Sequence, residues 1–272
     1  MSERHPGTDD LSLATALTRT ADDSFLWNVP SGWEQGRGVF GGLVVAATTR
    51  AAMHAEPDGD RIVRAISCEI LAPVSAGLAT VSAESLRRGN GVSAYEVRVI
   101  QKDPTGHDEV RARATITLAK DRPNDRDHQS VEAPTLPAFD TLERAPLGPP
   151  IAPTFTQHLD FRPVGSLPFS GATVPSAEGY VHAPGASSWG PPEWLALVDS
   201  YWPTLMVLET GPRPLVTLTF HAQLLDTPAP GPFSYRGRAL ATQHGFSSEL
   251  RELFDARGRL IVSNVQTIAV VK

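Results

Sequence analysis

The chain has 272 residues, 41% of them hydrophobic and 20% charged, the balance of an ordinary globular protein able to bury a sizeable core. Its formal net charge of -6 argues against general nucleic-acid binding, while leaving local arginines free to meet a small anion. The single cysteine, Cys68, excludes an intramolecular disulfide and a zinc site of the multi-cysteine kind.

Residues 1–10 (MSERHPGTDD) are polar and lack the apolar core of a secretion signal. No apolar run approaches the roughly 18 to 20 residues needed to span a bilayer, so a cytoplasmic location without a membrane span is expected. Ser24 to Val29 reads as a short strand, and Gly36-Arg37-Gly38-Val39-Phe40-Gly41-Gly42 as a loop leading into a helix. The segment Leu43 to Ala55 contains no Asp or Glu and many small side chains, the mark of a helix buried almost all round. Four strand-like runs follow, Arg61 to Leu71, Leu78 to Arg88, Ala94 to Lys102 and Glu109 to Lys120, separated by Gly, Pro and Asn clusters. Their short turns, such as Asp103-Pro104-Thr105-Gly106, predict an antiparallel meander.

Residues 121–153 are rich in Pro, Asp and Arg and read as a connector that cannot pair into a sheet. This divides the chain into an N-terminal unit (1–120), the connector (121–153) and a C-terminal unit (154–272). Gly165 to Gly190 is a second stretch expected to be irregular. The order of the first unit then returns. Glu193 to Leu208 carries Trp194, Leu197, Val198, Tyr201, Leu205 and Leu208 at helical spacing. Strands are expected at Leu215 to Leu225, Phe233 to His244, Glu249 to Asp255 and Leu260 to Val271, with Asp255-Ala256-Arg257-Gly258 standing where Asp103-Pro104-Thr105-Gly106 stood. Gly258 matches Gly106 and Thr217 matches Val63 at nearly the same offset, which points to a duplicated architecture.

The two copies differ in chemistry. Only the second helix holds a carboxylate, Asp199, and an ionised carboxylate inside an apolar helix is costly unless it is compensated and used. Pro203, four residues on, has no N–H for the Asp199 carbonyl. Strict alternation puts Thr217, Thr219, His221 and Gln223 on one polar strand face, and Gln266 lies on the last strand. The first-half counterparts of Thr217 and Gln266 read as Val63 and as Ala114 or Thr115. Solvent-facing helix and sheet edges explain these polar residues as well as an active site does, from the residues alone. No nucleophile elbow, H-E-x-x-H or P-loop is present, and the glycine-rich segment Gly36-Arg37-Gly38-Val39-Phe40-Gly41 follows no convincing βαβ start, so it does not read as a Rossmann fingerprint. The eight histidines are scattered, which gives metal catalysis little support.

Taken together, Val39-Phe40-Gly41-Gly42-Leu43-Val44-Val45, Leu86-Arg87-Arg88-Gly89-Asn90, Asp199, Thr217 and Val265-Gln266 resemble acyl-CoA thioesterases of the double hot-dog, TesB-like type, across most of residues 25–272. The resemblance implies an α+β fold with two antiparallel sheets, each wrapped around a central helix. It also implies an acyl-CoA substrate, no cofactor and no metal. Asp199, Thr217 and Gln266 would hold and activate a water that attacks the thioester carbonyl without a covalent intermediate, a task suited to a carboxylate base with a hydroxyl and an amide to orient the water. Backbone N–H groups at Gly41 and Gly42 would stabilise the developing oxyanion. Arg87 and Arg88, with Arg236 and Arg238, are candidate anchors for the phosphates of CoA. A homodimer is expected. Many relatives carry an Asp-His pair where this chain has Thr219-Phe220, so acyl-chain preference is not fixed by the likeness. A non-catalytic acyl- or acyl-CoA-binding protein and an enoyl-CoA hydratase are the alternatives. The hydratase pattern, an Asp followed five residues later by His, is not met, because position 204 is Thr.

Overall fold

The computed structural model describes residues 10–21, 23–124, 126–225 and 231–271; the polar start at residues 1–9 lies outside them. The described chain runs through helix α1 (Leu11–Ala14) and strands β1 (Leu17–Ala21), β2 (Ser24–Val29), β3 (Glu34–Gln35) and β4 (Gly38–Val39) into helix α2 (Gly41–Ala55). Strands β5 (Ile62–Ile70), β6 (Gly77–Arg88), β7 (Val92–Lys102) and β8 (Asp108–Ala119) complete the first half. The second half begins with β9 (Asp160–Val164) and β10 (Ser176–His182), then helix α3 (Pro191–Asp199). It ends with β11 (Leu215–Leu224), β12 (Phe233–Gln243), β13 (Phe246–Phe254) and β14 (Leu260–Val270).

Helix α2 is buried along its length, from Gly42 through Thr49 and again at Ala51 and Ala52. Its composition permits this: the alanines and valines leave no polar atom to desolvate, and the hydroxyls of Thr48 and Thr49 both donate to the Val45 carbonyl at 2.8 Å. Strands β5 to β8 curve around it, and α3 packs against α2 on one side and against β13 and β14 on the other. No helix among the described residues is long and apolar enough to cross a membrane.

The strand order is β1-β2-β6-β7-β8-β5-β11-β14-β13-β12-β10-β9, which reads as the same six-strand pattern in both directions from the β5–β11 seam. There the halves pair antiparallel, with Phe220 opposite Cys68 and Ala222 opposite Ile66, all four buried. The double hot-dog arrangement is therefore present, with one correction: the two expected sheets are joined edge to edge into a single sheet of 12 strands. Joining them removes two open edges that would otherwise invite pairing with another chain.

Three further expectations change. The stretch Gly165 to Gly190 contains β10, which has no hydrophobic run because Ala177 and Gly179 face crowded ground. A side chain at Gly179 would meet the Arg162 carbonyl and the Tyr201 hydroxyl, and its φ of +149° also favours glycine. The second helix stops at Asp199 instead of continuing to Leu208; a separate 3-10 turn covers Thr204–Val207. Pro203 supplies the reason, since it cannot donate to the Asp199 carbonyl. The counterpart of Gln266 is Ile116, not Ala114 or Thr115. In each half a bulge on the inner strand, Thr217/Thr219 or Val63/Ala65, precedes the matching pairs Phe220–Gln266 and Ile66–Ile116.

The connector carries a 3-10 turn at Phe139–Thr141 and is fastened to the second half. Gln129 bonds both ways across the last turn, donating to the Gly258 carbonyl at 2.9 Å and accepting from Leu260 N–H at 2.8 Å. The Arg162 guanidinium lies 3.7 Å from the Phe139 ring centre.

Candidate active site

The N-terminal end of α2 meets the C-terminal end of α3, and glycines make the meeting possible. A side chain at Gly42 would collide with the Phe40 ring and stand 2.9 Å from the Ala196 carbonyl of α3. One at Gly41 would lie 2.9 Å from Asp199 Oδ2. Phe40, which caps α2, offers no side-chain bond to the first turn, so the helix opens with unsatisfied amides and the positive end of its dipole. The Asp199 carboxylate occupies that end, where the Gly42 N–H helps stabilise its charge.

Where α3 ends, a buried arginine replaces the missing amide hydrogen. Arg251 Nη1, from β13, donates to the Asp199 carbonyl at 2.9 Å, to Asp199 Oδ1 at 3.3 Å and to the Tyr201 carbonyl at 3.3 Å. Its Nε donates to Glu249 Oε1 at 2.8 Å, and Glu249 Oε2 in turn accepts from the N–H and hydroxyl of Thr204. The Arg251 and Glu249 side chains are 2% and 0% exposed, whereas Asp199 keeps a thin edge, 8% exposed.

From the other side, Gln266 on β14 donates its amide to Asp199 Oδ1 at 2.7 Å and to Asn264 Oδ1 at 2.9 Å. Its own carbonyl oxygen accepts from Thr217 Oγ1 at 3.1 Å. Asn264 is held by donating to the His221 carbonyl at 2.9 Å. Gln266 thus has both amide hydrogens and its oxygen engaged, which fixes which way the amide points.

The bulge decides the position of Thr217. Simple alternation groups Thr217 with Thr219, His221 and Gln223, but the extra residue at Leu218 turns Thr217 to the inner face, opposite buried Ile268. His221 and Gln223 stay exposed on the outer face. The three residues Asp199, Thr217 and Gln266 are therefore brought together, with Gly41 and Gly42 beside them. Arg87 and Arg88 are not. Arg88 Nε pairs with Glu56 at 3.2 Å, just past the C-terminal end of α2, and Arg87 is exposed beside it. The 15 residues of α2 separate that end from Gly41 by about 22 Å. Arg236 is likewise engaged, by Glu252 at 2.8 Å.

Burial pushes the Asp199 carboxyl above its ordinary value; Arg251, Gln266 and the Gly42 N–H pull it back, and Glu249 adds to the rise. Burial works against the charge of Arg251, yet Tyr235, Glu249 and Asp199 together hold it above the ordinary guanidinium value. A carboxylate with a raised proton affinity, one open edge and a fixed hydrogen-bonded neighbour can take a proton from a water.

Arg251, Glu249 and Asn264 are missing from the sequence reading. A signal was available: Ser247, Glu249, Arg251 and Leu253 alternate onto one face of β13, and a strand face shared by a leucine and an opposite-charge pair is a buried pair in waiting. A cavity of about 370 Å³ lies elsewhere, under the connector, lined among others by Leu136, Phe139, Tyr180 and Asp255; none of Asp199, Thr217 and Gln266 borders it.

Residues 29–119 match the family profile described as acyl-CoA thioesterase N-terminal domain, and residues 129–270 the profile described as acyl-CoA thioesterase C-terminal domain. No curated protein matches the sequence at a significant level. Among solved structures, a conserved hot-dog protein of unknown function from Alicyclobacillus acidocaldarius superposes with a TM-score of 0.86 at 20% identity, covering 96% of this chain and 98% of that one. The tesB protein of Mycobacterium avium subspecies paratuberculosis gives 0.79 at 14% identity, again over 96% and 98%. Acyl-CoA thioesterase II TesB2 of Mycobacterium marinum gives 0.76 at 15% identity over the same shares. At these identities the structural likeness establishes the fold.

Proposed function

This chain belongs to the acyl-CoA thioesterase family, and on that premise we propose that it hydrolyses acyl-CoA thioesters to a free carboxylic acid and CoA at the Asp199 cluster. The observation that carries the proposal is the bonded chain Asp199–Gln266–Thr217 set against the opening turn of α2.

In this reading Asp199 takes a proton from water as the water oxygen bonds to the thioester carbonyl carbon. Thr217 and Gln266 hold the orientation of that water. The carbonyl oxygen becomes an oxyanion facing the positive end of α2. Since the Gly42 N–H already serves Asp199, Gly41 is the remaining donor of the pair. Collapse of the tetrahedral intermediate breaks the C–S bond, and the proton held by Asp199 leaves with the CoA sulfur. No residue is acylated, and no covalent intermediate forms.

The hydratase alternative loses support from placement: His221 is exposed on the outer sheet face, and Thr204 is occupied by Glu249. Arg87 and Arg88 retain a role only at the distant nucleotide end of CoA, where their joint replacement would raise KM without lowering kcat. A homodimer and a cytoplasmic location belong to the same proposal; exposed Leu78, Leu86, Leu240 and Phe246 on the sheet strands are the apolar surface that a second copy would cover.

The test is release of free thiol from a panel of acyl-CoAs of short to long chain. Turnover on at least one member, lost in Asp199→Asn, supports the reading. Binding of acyl-CoA without thiol release across the panel would replace it with a non-catalytic binding protein.

A further inference from the structure

We propose that Arg251, set by its pairing with Glu249, is the positioning residue for the Asp199 carboxylate. The inference rests on the hydrolytic reading given above and extends it to residues that do not touch the substrate.

The geometry places Arg251 where two separate problems meet. Helix α3 ends at Asp199 because Pro203 lacks an amide hydrogen, so the Asp199 carbonyl is buried without a helical partner. Arg251 Nη1 fills that place at 2.9 Å and from the same nitrogen reaches Asp199 Oδ1 at 3.3 Å. One guanidinium nitrogen therefore holds both the backbone and the side chain of the residue. Gln266 binds the same oxygen, Oδ1, at 2.7 Å, so both side-chain donors fall on one carboxylate oxygen and Oδ2 is left facing the Gly41 edge. Helix-end arginines on a surface would do the capping alone; this one is 2% exposed and is itself aimed by Glu249, which is wholly buried and tied to Thr204.

Arg251 and Glu249 are also the charged groups that face Asp199. Helix α2 presents Gly41 and Gly42, without titratable side chains, and β14 presents the neutral amides of Gln266 and Asn264. From β5 comes Cys68, whose thiol burial pushes up to about 12, and from β12 Tyr235, whose hydroxyl burial raises above the ordinary phenol range. Tyr201, two residues after Asp199, is raised in the same way. These three stay neutral through the working pH range. Glu193, at the start of α3, is already paired with Arg50 at 2.5 Å. Of the charges at the site, Arg251 favours the ionised form of Asp199 and Glu249 disfavours it.

The sign of the pH effect follows. A base must be ionised, so kcat/KM falls on the acid side as Asp199 takes up its proton. Replacing Glu249 by Gln removes a negative charge and moves the acid limb to lower pH. Removing both charges in Arg251→Met/Glu249→Gln leaves Asp199 without its direct ionic partner and moves the limb to higher pH. Arg251→Lys keeps the charge but not the reach of the planar fork, so it leaves the limb near its place and lowers plateau kcat by about tenfold or more, with KM little changed.

The experiment is the pH profile of kcat/KM and kcat for thiol release by the full chain, in wild type, Glu249→Gln, Arg251→Lys, Arg251→Met/Glu249→Gln and Asp199→Asn, each checked by circular dichroism. Opposite displacements of the acid limb in Glu249→Gln and the double variant, with the kcat loss in Arg251→Lys, are expected. Should the double variant not fold, Glu249→Gln and Arg251→Lys decide. An unmoved acid limb in folded Glu249→Gln together with wild-type kcat in Arg251→Lys overturns the proposal, leaving Arg251 a structural cap while Asp199→Asn remains inactive. Wild-type turnover in Asp199→Asn overturns the hydrolytic reading itself, and the positioning role with it.

Discussion

Gln266 Nε2 stands 2.7 Å from Asp199 Oδ1, joining the last strand of the chain to the end of its second central helix. The same amide accepts from Thr217 through its oxygen, so a single side chain links the carboxylate to the hydroxyl. Gln266→Ala is expected to lower kcat by about ten- to a hundredfold, the range for one or two oriented hydrogen bonds lost from a buried site. Thr217→Val should cost less, about tenfold, because the Asp199–Gln266 bond survives. Steady-state thiol release measures both; equal and negligible losses would remove Gln266 from its linking role.

Gly41 is small because Asp199 leaves no room for anything larger. Gly41→Ala puts a methyl group 2.9 Å from Oδ2 and 3.2 Å from Ile70 Cδ1, so the carboxylate must shift to admit it. The expected outcome is a folded protein with kcat reduced by at least about tenfold. Gly42→Ala instead presses on the Phe40 ring and the Ala196 carbonyl, and should destabilise the fold by about 1–3 kcal/mol through overpacking. Thermal melts beside activity assays separate the two effects.

The bulge at Leu218 makes a contrast available on one strand. His221 and Gln223 sit on the exposed face of β11, away from Thr217. His221→Ala and Gln223→Ala should each change stability by no more than about 0.5 kcal/mol and leave kcat untouched. A large kcat loss in either would show that the outer face takes part in the reaction.

How the site could be read from sequence follows from the same strand. The acid-free helix at Leu43 to Ala55 and the repeated Gly106 and Gly258 turns were legible because composition and turn chemistry act locally. The expected four-strand meander holds only for β6, β7 and β8: β5 pairs with β8 and β11 and not with β6, a non-local pairing that short turns do not reveal. The placement of Thr217 was not, since a bulge shifts register without changing composition. Ile116 is hidden as the counterpart of Gln266 for a related reason: the offset between the turns points to Ala114, whereas the bulges set the pairing. Arg251 and Glu249 read as ordinary strand charges because their value lies in the contact of Arg251 with Asp199, 52 residues away in the chain, and in the hold of Glu249 on Arg251. Pro203 did announce a break, and the guanidinium that repairs it needed three dimensions.

Stability should carry the signature of the buried carboxylate. Burial raises the Asp199 pKa above the ordinary aspartate value that applies to the unfolded chain, so the folded state binds this proton more tightly. That contribution to stability is fully present below the unfolded pKa and is lost as pH rises through the raised folded value. Asp199→Asn removes the ionisation. Its melting temperature relative to wild type should therefore rise as pH increases from the ordinary aspartate range through the raised folded value. A difference that is constant across that window would mean that Asp199 is not held in a raised state.

The central claim is that Asp199 activates the attacking water. Thiol release from an acyl-CoA accepted by the wild type, measured in Asp199→Asn beside binding of the same acyl-CoA, tests it most directly. Cleavage should fall by about 10²- to 10⁴-fold, the contribution of a positioned general base, while binding persists. Cleavage by Asp199→Asn at the wild-type rate, with binding intact, would contradict the account.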